Sequence, residues 1–157
     1  MTDRTSPEAT LRTLGIELPA APSPGGNYVP MKRAGNVVYL SGVISTGPDG
    51  IIGGTAGIDR TIEEGYAAAR ACALTQLAVL RRELGSLDQV VEVLTVNGYV
   101  NAAPGFGDSP EIINGASDLL VQVFGDAGRH VRAALGVSAL PRKALVELQM
   151  TVRVTEP

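Results

Sequence analysis

The sequence predicts a single α+β domain, in which two helices pack on one face of a mixed β-sheet in the order β-β-α-β-α-β-β. Three observations lead to this prediction. The chain has 157 residues and 45% hydrophobic side chains, which is enough for one core and too little for two ordinary domains. Two long segments place apolar residues at helical spacing. The segments around them have the alternation or the β-branched density of strands.

Residues 1–25 are predicted to form an extension in front of the domain, which comprises residues 26–157. Ser6 to Leu18 form a short amphipathic segment, and Pro7 suits the first turn of a helix. The following PAAPSPGGN, residues 19–27, is rich in proline and glycine and is therefore predicted to be a linker. The sequence does not assign a role to this extension.

The domain is predicted to begin with two short strands and a long helix. The strands flank a turn at Gly35-Asn36. The glycine-rich residues 46–57 lack the spacing of a phosphate-binding loop and are predicted to form turns. Thr61 and Glu64 fit a capping box and Gly85 fits a C-terminal stop, so a helix is predicted between them.

The second half of the domain is predicted to contain a strand, a second helix and a closing hairpin. The strand is QVVEVLTVNGYV, residues 89–100, and the helix begins with Ser109 as its cap and Pro110 in its first turn. Residues 131–137 and 143–154 alternate apolar with other side chains, and they are predicted to pair as a β-hairpin. In that arrangement the apolar side of each strand faces the helices.

Each strand of the predicted hairpin contains one charge that folding does not require, Arg132 or Glu147. If residues 139–142 form the loop, Arg132 lies opposite Gln149 and diagonal to Glu147 on one face. The simplest explanation is a surface ion pair worth about 0–1 kcal/mol. The small residues beside Arg132 favour a second explanation, a concavity that a ligand or another subunit covers. There an arginine can bind a carboxylate, and a glutamate can orient or deprotonate a water molecule.

Other chemistries have less support. The net charge of −3 and the lack of a basic run argue against nucleic acid as a partner. Neither a membrane-length apolar stretch nor a signal-like start is evident, which predicts a cytoplasmic protein without a membrane partner. One cysteine, Cys72, and one histidine, His130, cannot form a zinc site within a chain, and Cys72 is predicted to be an inert core or boundary thiol. Serine catalysis is disfavoured because GxSxG is absent and His130 has no evident serine partner.

Residues 26–154 resemble the RidA/YjgF family of small imine and enamine deaminases, which is also labelled L-PSP endoribonuclease, and they look like a longer-form subgroup of it. The most specific match is the pattern R-x-x-x-x-V-x-x-L-P-x-x-x-x-V-E, which begins here at Arg132 and ends at Glu147. Further matches are Tyr28 before the first strand, Ser41-Gly42 after an apolar strand, and Asn114 in the second helix.

The resemblance implies a chorismate-mutase-like fold and a homotrimer with one site at each subunit junction. It implies that Arg132 binds the substrate carboxylate and that Glu147 positions the attacking water. The residues that would help to line the pocket are Tyr28, Ser41, Gly42 and Asn114. The implied reaction is the attack of water on the C=N carbon of a small 2-imino acid, formed from an enamine, to give a 2-oxo acid and ammonia. It needs neither a cofactor nor a metal.

Two departures from the family pattern leave the activity open. Val43 stands where many deaminases have glutamine, and Gln149 replaces a frequent second acid. The alternative function is a non-catalytic trimer that binds a small carboxylate or a protein partner, which requires Arg132 but not Glu147. RNA cleavage, which the family label suggests, has the least support because basic clusters are absent. The sequence does not identify the physiological substrate.

Overall fold

The computed structural model describes residues 4–157, which form three helices and a mixed sheet. The helices are α1 (Pro7–Leu14), α2 (Ile62–Leu84) and α3 (Ser109–Phe124). The strands are β1 (Met31–Ala34), β2 (Val37–Leu40), β3 (Val43–Ile44), β4 (Thr46–Gly47), β5 (Gly50–Ile51), β6 (Val90–Asn101), β7 (Val131–Val137) and β8 (Val146–Val154). The predicted α+β class and the order of the main elements are confirmed.

The main sheet has the strand order β1-β2-β8-β6-β7, and β3 pairs with β8 beyond the end of β2. Only β6 and β7 are parallel neighbours, whereas the other pairs in this sheet are antiparallel. The glycine-rich segment, for which only turns were predicted, forms the small separate ribbon β4-β5 around a turn at residues 48–49. The sheet is therefore mixed, with β6 and β8 at its centre and β7 at one edge.

The predicted hairpin of the last two strands is wrong, because β6 lies between them. Arg132 on β7 is level with Val96 on β6, and Val96 is level with Met150 on β8. Alternation along a strand identifies its two faces but not its neighbours. The eight connecting residues 138–145, which include a 3-10 turn at Pro141–Lys143, lead the chain past the intervening strand. The pairing of Arg132 with Gln149 is wrong for the same reason.

The predicted faces are confirmed for β8 and wrong for β7. On β8 the apolar set is buried against the helices, and every second residue from Val146 to Val154 is at most 2% exposed. On β7 the side chains of Val131 and Leu135 are 68% and 52% exposed, whereas Ala134 packs against the core. A Cβ added to Gly136 would lie 3.5 Å from the Ser109 Oγ, an ordinary contact distance. The inner face of β7 therefore bears Arg132 and small residues instead of the apolar set.

The two long helices form the layer that covers the sheet. Helix α2 begins after Thr61, whose hydroxyl accepts a hydrogen bond from the Glu64 amide at 3.1 Å, and it ends at Gly85, as predicted. Helix α3 begins one residue earlier than predicted, because Asp108 occupies the cap position and Ser109 lies inside the helix. No helix within residues 4–157 has the length and apolarity needed to cross a membrane.

A short helix lies in the N-terminal segment and packs on the core. Leu11 of α1 is 1% exposed, and the Glu8 carboxylate accepts hydrogen bonds from the Arg81 guanidinium at 2.6 and 3.1 Å. The same carboxylate accepts from the Leu87 amide at 2.9 Å. These contacts tie α1 to the end of α2. The domain boundary at residue 25 stays a prediction.

Candidate functional site

The site residues predicted from the sequence lie in two separate clusters. Arg132 and Asn114 meet on the helix side of the edge strand β7, whereas Glu147 lies on the open face of β8. Since β6 separates these strands, their backbones are about 10 Å apart. The arginine cluster comprises Pro110, Asn114, Ser117, His130 and Arg132. The glutamate cluster comprises Tyr28, Ser41, Gly42, Gln76 and Glu147.

Helix α3 holds the guanidinium of Arg132 through three hydrogen bonds. The Nη1 atom donates to the Asn114 Oδ1 at 2.7 Å and to the Ser117 Oγ at 3.1 Å. The Nη2 atom donates to the Pro110 carbonyl oxygen at 3.3 Å. The acceptors are spaced four and three residues apart, so they lie along one side of the helix. Three of the five donors of the guanidinium are thereby used.

Two donors of Arg132 remain, the Nε–H and one N–H of Nη2, and neither has a partner among residues 4–157. The Nε and Nη2 atoms form one edge of the guanidinium, and this edge can bind a carboxylate through two parallel hydrogen bonds. The residue is also exposed. The arginine cluster therefore fixes the guanidinium in place and presents donors that suit an anion.

His130 extends the arginine cluster. Its Nδ1 atom lies 2.6 Å from the Gly128 carbonyl oxygen, which can only accept, so Nδ1 bears the proton. The Nε2 atom then accepts from the Ser117 hydroxyl at 2.9 Å. Burial lowers the pKa of His130, the hydrogen bond to Gly128 raises it, and the charge of Arg132 lowers it; the net shift is downward, so the imidazole is neutral at pH 7.

The expectation that His130 lacks a serine partner is wrong. Ser117 lies thirteen residues earlier, on α3, and only the close packing of α3 against β7 brings the two side chains together. Reasoning from strand alternation alone missed this contact because the partner lies outside the strand.

Glu147 is half-buried and has no hydrogen-bond partner among residues 4–157. Burial raises the pKa of its carboxyl group. A Cβ added to Gly42 would lie 2.8 Å from the Glu147 Oε2, so the carboxylate occupies the space above Gly42. Tyr99 on β6 and Ile44 on β3 are level with Glu147 on either side. The carboxylate is thus partly desolvated but unpaired, which suits a group that binds and deprotonates a water molecule.

Gln76 fixes the loop beneath this carboxylate. It is buried within α2, and its Nε2 atom donates to the carbonyl oxygens of Ser41 and Leu148, both at 3.0 Å. Leu148 directly follows Glu147, so Gln76 links the Ser41-Gly42 loop to the strand that bears the carboxylate. Sequence reasoning missed Gln76, although a glutamine on the apolar side of a helix was a usable signal.

A cavity of about 30 Å³ lies beside this loop, large enough for one water molecule. Its walls include Ser41, Gly42, Gln76 and Tyr28. Tyr28 is 50% exposed, and its hydroxyl accepts a hydrogen bond from the Gly25 amide at 3.1 Å. The remaining walls are Pro22, Ser23, Pro24, Pro30, Val43 and Val79, so the predicted linker covers one side of the cavity.

Cys72 is an inert core thiol, as predicted. It is fully buried, and its Sγ lies 3.7 and 3.6 Å from the carbonyl oxygens of Val43 and Val146. Burial raises the pKa of the thiol, and the nearby charge of Glu147 raises it further. A thiol that stays protonated and buried is a poor nucleophile.

Comparison with known proteins relates the whole domain to one family. A family model described as "YjgF/chorismate_mutase-like, putative endoribonuclease" matches residues 8–153. Protein TCP17 of Trypanosoma cruzi is 43% identical over 148 residues, which cover 93% of this chain and 92% of that protein. A "putative endoribonuclease" from Shewanella oneidensis is 31% identical with a TM-score of 0.91, covering 96% of this chain and 100% of that one. RidA from Psychrobacter, at 23% identity and a TM-score of 0.57, shares the fold over 85% of this chain and 94% of its own.

Replacing Gly42 with alanine should displace the Glu147 carboxylate without unfolding the protein. The three atoms nearest to the added methyl group would be the Oε2, Cδ and Cγ of this flexible side chain, so we expect the carboxylate to swing towards solvent. We expect the raised pKa of Glu147 to fall towards its ordinary value and the melting temperature to change little. Carbon-13 NMR titration of the glutamate carboxyl groups measures the first effect, and thermal unfolding measures the second.

The matched control is Gly107→Ala, because a Cβ at Gly107 meets no atom within 4 Å. It should leave the pKa of Glu147 unchanged. A Gly42→Ala protein that keeps the wild-type pKa at Glu147 would contradict the assigned position of the carboxylate.

Glu147→Gln should stabilise the fold at pH 7 and not at pH 4. The pKa of Glu147 is raised in the folded state, so its carboxyl group favours folding most at a pH below the unfolded value, and this contribution is lost as the pH rises through the folded pKa. A neutral glutamine avoids that loss. We expect a gain of roughly 0.5 kcal/mol or more at pH 7, measured by urea unfolding.

The control is Glu17→Gln, which removes an exposed carboxylate and should show no comparable difference between the two pH values. If Glu147→Gln instead destabilises the protein at pH 7, the carboxylate has a cationic partner that its own chain does not supply.

Proposed function

The chain belongs to the YjgF/chorismate mutase-like family that includes RidA, and from this premise we propose that it deaminates small reactive 2-imino acids by hydrolysis. Water adds to the C=N carbon of an imine, which forms by tautomerisation of an enamine such as 2-aminoacrylate. The resulting carbinolamine releases ammonia and leaves a 2-oxo acid. The proposed reaction requires no cofactor and no metal, because a protonated imine is already electrophilic.

The main support for the proposal is that the Arg132 guanidinium uses only three of its five hydrogen-bond donors within residues 4–157. Its bonds to Asn114, Ser117 and Pro110 orient it, while its Nε and one Nη2 donor stay available. A 2-imino acid offers a carboxylate of matching geometry next to the reacting carbon. Such a charge-assisted contact contributes about 1.5–3 kcal/mol. Arg132 would therefore bind the substrate and fix the position of its C=N bond.

Glu147 would supply the second requirement of the reaction, an oriented water molecule. Its carboxylate has no competing donor among residues 4–157, and its raised pKa makes it a better base than an ordinary glutamate. It would accept the proton of the attacking water, and the amine would later leave with a proton as ammonia. Tyr28, Ser41 and Gly42 would form the wall beside this water.

A complete site requires two subunits under this proposal. Arg132 and Glu147 of one chain lie on opposite faces of the sheet and two strands apart, so they cannot both contact one small ligand. We propose a homotrimer in which Arg132 of one subunit and Glu147 of the next subunit face one substrate-binding gap without contacting each other. The exposed apolar side chains Tyr39, Val131 and Leu135, each more than half exposed, give the open face of the sheet a surface that a neighbour could cover.

The alternative is a trimer that binds a small carboxylate without catalysis. It would use the arginine cluster in the same way but would gain nothing from Glu147. RNA cleavage, which the family description names, has little support in this chain because its net charge is −3. Activity measurements on variants of Arg132 and Glu147 distinguish these functions.

The deaminase proposal predicts that the protein accelerates the hydrolysis of 2-aminoacrylate. A serine dehydratase can generate this enamine, and the release of pyruvate can be followed continuously. Arg132→Ala should lower kcat/KM by about tenfold to a hundredfold, because a charge-assisted contact of about 1.5–3 kcal/mol is lost. Glu147→Gln should lower kcat by about a hundredfold or more, because general base catalysis is lost.

If the wild-type protein does not accelerate the hydrolysis of this or other 2-imino acids, the deaminase proposal fails. Carboxylate binding that persists without catalysis would favour the alternative function. A Glu147→Gln protein with the full rate would contradict the role given to Glu147.

If the site lies at a subunit junction, two inactive variants should recover activity when their subunits form mixed trimers. When Arg132→Ala and Glu147→Gln subunits are co-expressed, about a quarter of the junctions in random trimers combine an intact arginine with an intact glutamate. We therefore expect up to about a quarter of the wild-type rate. Mixing Arg132→Ala subunits with the double variant provides the control, because no intact arginine is present. No recovery in a mixed trimer verified by mass spectrometry would contradict the shared site.

A further inference from the structure

We propose that His130, acting through Ser117, is a positioning residue for the guanidinium of Arg132. The inference rests on the proposed function in one respect, that this guanidinium binds the substrate carboxylate. It goes beyond that function because it assigns a role to His130, which the reaction scheme does not use.

The donor and the acceptor can be assigned for each hydrogen bond that links Gly128, His130, Ser117 and Arg132. The Gly128 carbonyl oxygen accepts from the His130 Nδ1 at 2.6 Å, so the His130 Nε2 is left as an acceptor. The Ser117 hydroxyl must then donate its one hydrogen to Nε2, at 2.9 Å. Its oxygen retains two lone pairs, and one of them accepts from the Arg132 Nη1 at 3.1 Å. A backbone carbonyl thus determines, through two side chains, that Ser117 is an acceptor towards Arg132.

Without His130 the same serine could compete with the arginine. A hydroxyl without the imidazole as its acceptor would be free to donate its hydrogen to the Asn114 Oδ1, which Arg132 uses as an acceptor at 2.7 Å. Arg132 would then share its Asn114 acceptor with the serine hydrogen. The guanidinium would gain rotational freedom, and its Nε–Nη2 edge would no longer be held ready for a carboxylate.

The charges around His130 favour its neutral form. From β7 the cationic Arg132 contacts the same hydroxyl as the imidazole. The Asp126 carboxylate on the preceding turn is paired with Arg129 at 3.3 Å, and the Asp118 carboxylate on α3 accepts from the Tyr66 hydroxyl at 2.7 Å. No carboxylate among residues 4–157 is hydrogen-bonded to the imidazole. Both the burial of the ring and its cationic neighbour favour an imidazole that accepts from Ser117.

NMR tests the direction of these bonds without requiring catalysis. The chain contains one histidine, so an untagged protein labelled with ¹⁵N-histidine gives a single imidazole spin system. We expect the Nδ1–H tautomer at pH 7. Ser117→Ala should move the Nε2 resonance downfield, towards that of an acceptor without a donor. The control Tyr66→Phe removes the hydrogen bond to Asp118, next to Ser117 on α3, and should leave the resonance unchanged. The Nε2–H tautomer or a charged ring at pH 7 would overturn the inference.

Binding of pyruvate as a carboxylate probe tests the consequence for Arg132. His130→Phe keeps a ring but removes the acceptor, and we expect it to raise the Kd for pyruvate by about tenfold. His130→Gln supplies an amide oxygen as an acceptor and should recover most of the affinity. If His130→Phe does not fold, as judged by thermal unfolding, His130→Leu provides the same test. Wild-type affinity in a folded His130→Phe protein would overturn the inference.

The two proposals fail in distinguishable ways. A protein that binds pyruvate through Arg132 and shows the expected tautomer, but does not hydrolyse 2-imino acids, contradicts the deaminase and supports the role of His130. A protein that hydrolyses 2-imino acids but has the Nε2–H tautomer contradicts the role of His130 and supports the deaminase.

Discussion

The position of β6 between β7 and β8 determines how this molecule can work. If β7 and β8 were neighbours in a hairpin, their pairing would bring Arg132 and Glu147 together within one chain. In the structure β6 lies between them, and the two side chains extend from opposite faces of the sheet. Arg132 and Glu147 therefore have different neighbours. Arg132 is bound by α3, whereas Glu147 lies above Gly42 without a partner among residues 4–157. The strand order therefore keeps Arg132 and Glu147 of one subunit apart, and this separation is the reason that we propose a shared site.

Glycine residues allow α3 to pack closely against α2 and β6, which places its polar side chains next to Arg132. A Cβ on Gly115 would lie 2.0 Å from the Tyr66 carbonyl oxygen, so α3 and α2 can approach closely only because this residue is glycine. A Cβ on Gly98 would meet the Ile113 side chain at 2.5 Å, so α3 also lies directly on β6. This close packing places Asn114 and Ser117 within hydrogen-bond distance of Arg132. The packing of the core thus determines the orientation of a surface guanidinium.

The sequence predicted those features that depend on local chemistry. The capping residues Thr61 and Gly85 lie at the two ends of α2, as expected. The strong alternation of β8 predicted both of its faces correctly. Features that depend on contacts between distant segments were missed. The neighbour of β7 follows from the connection and the parallel pairing with β6, neither of which alternation reveals. The partners of His130 and Gln76 lie on other elements, so only the folded chain identifies them.

The electrostatic relation between the two clusters distinguishes an enzyme from a binding protein. A site that only holds a carboxylate gains affinity from Arg132 and loses affinity from any carboxylate brought near the ligand, because like charges repel across a partly dry junction. We also expect Glu147 to lower stability at neutral pH, since it is half-buried and its own chain gives it no partner. A group with both of these costs is difficult to explain as part of a binding surface. In a hydrolytic site the same properties are useful, because an unpaired and partly desolvated carboxylate is available to take a proton from water while Arg132 neutralises the charge of the substrate.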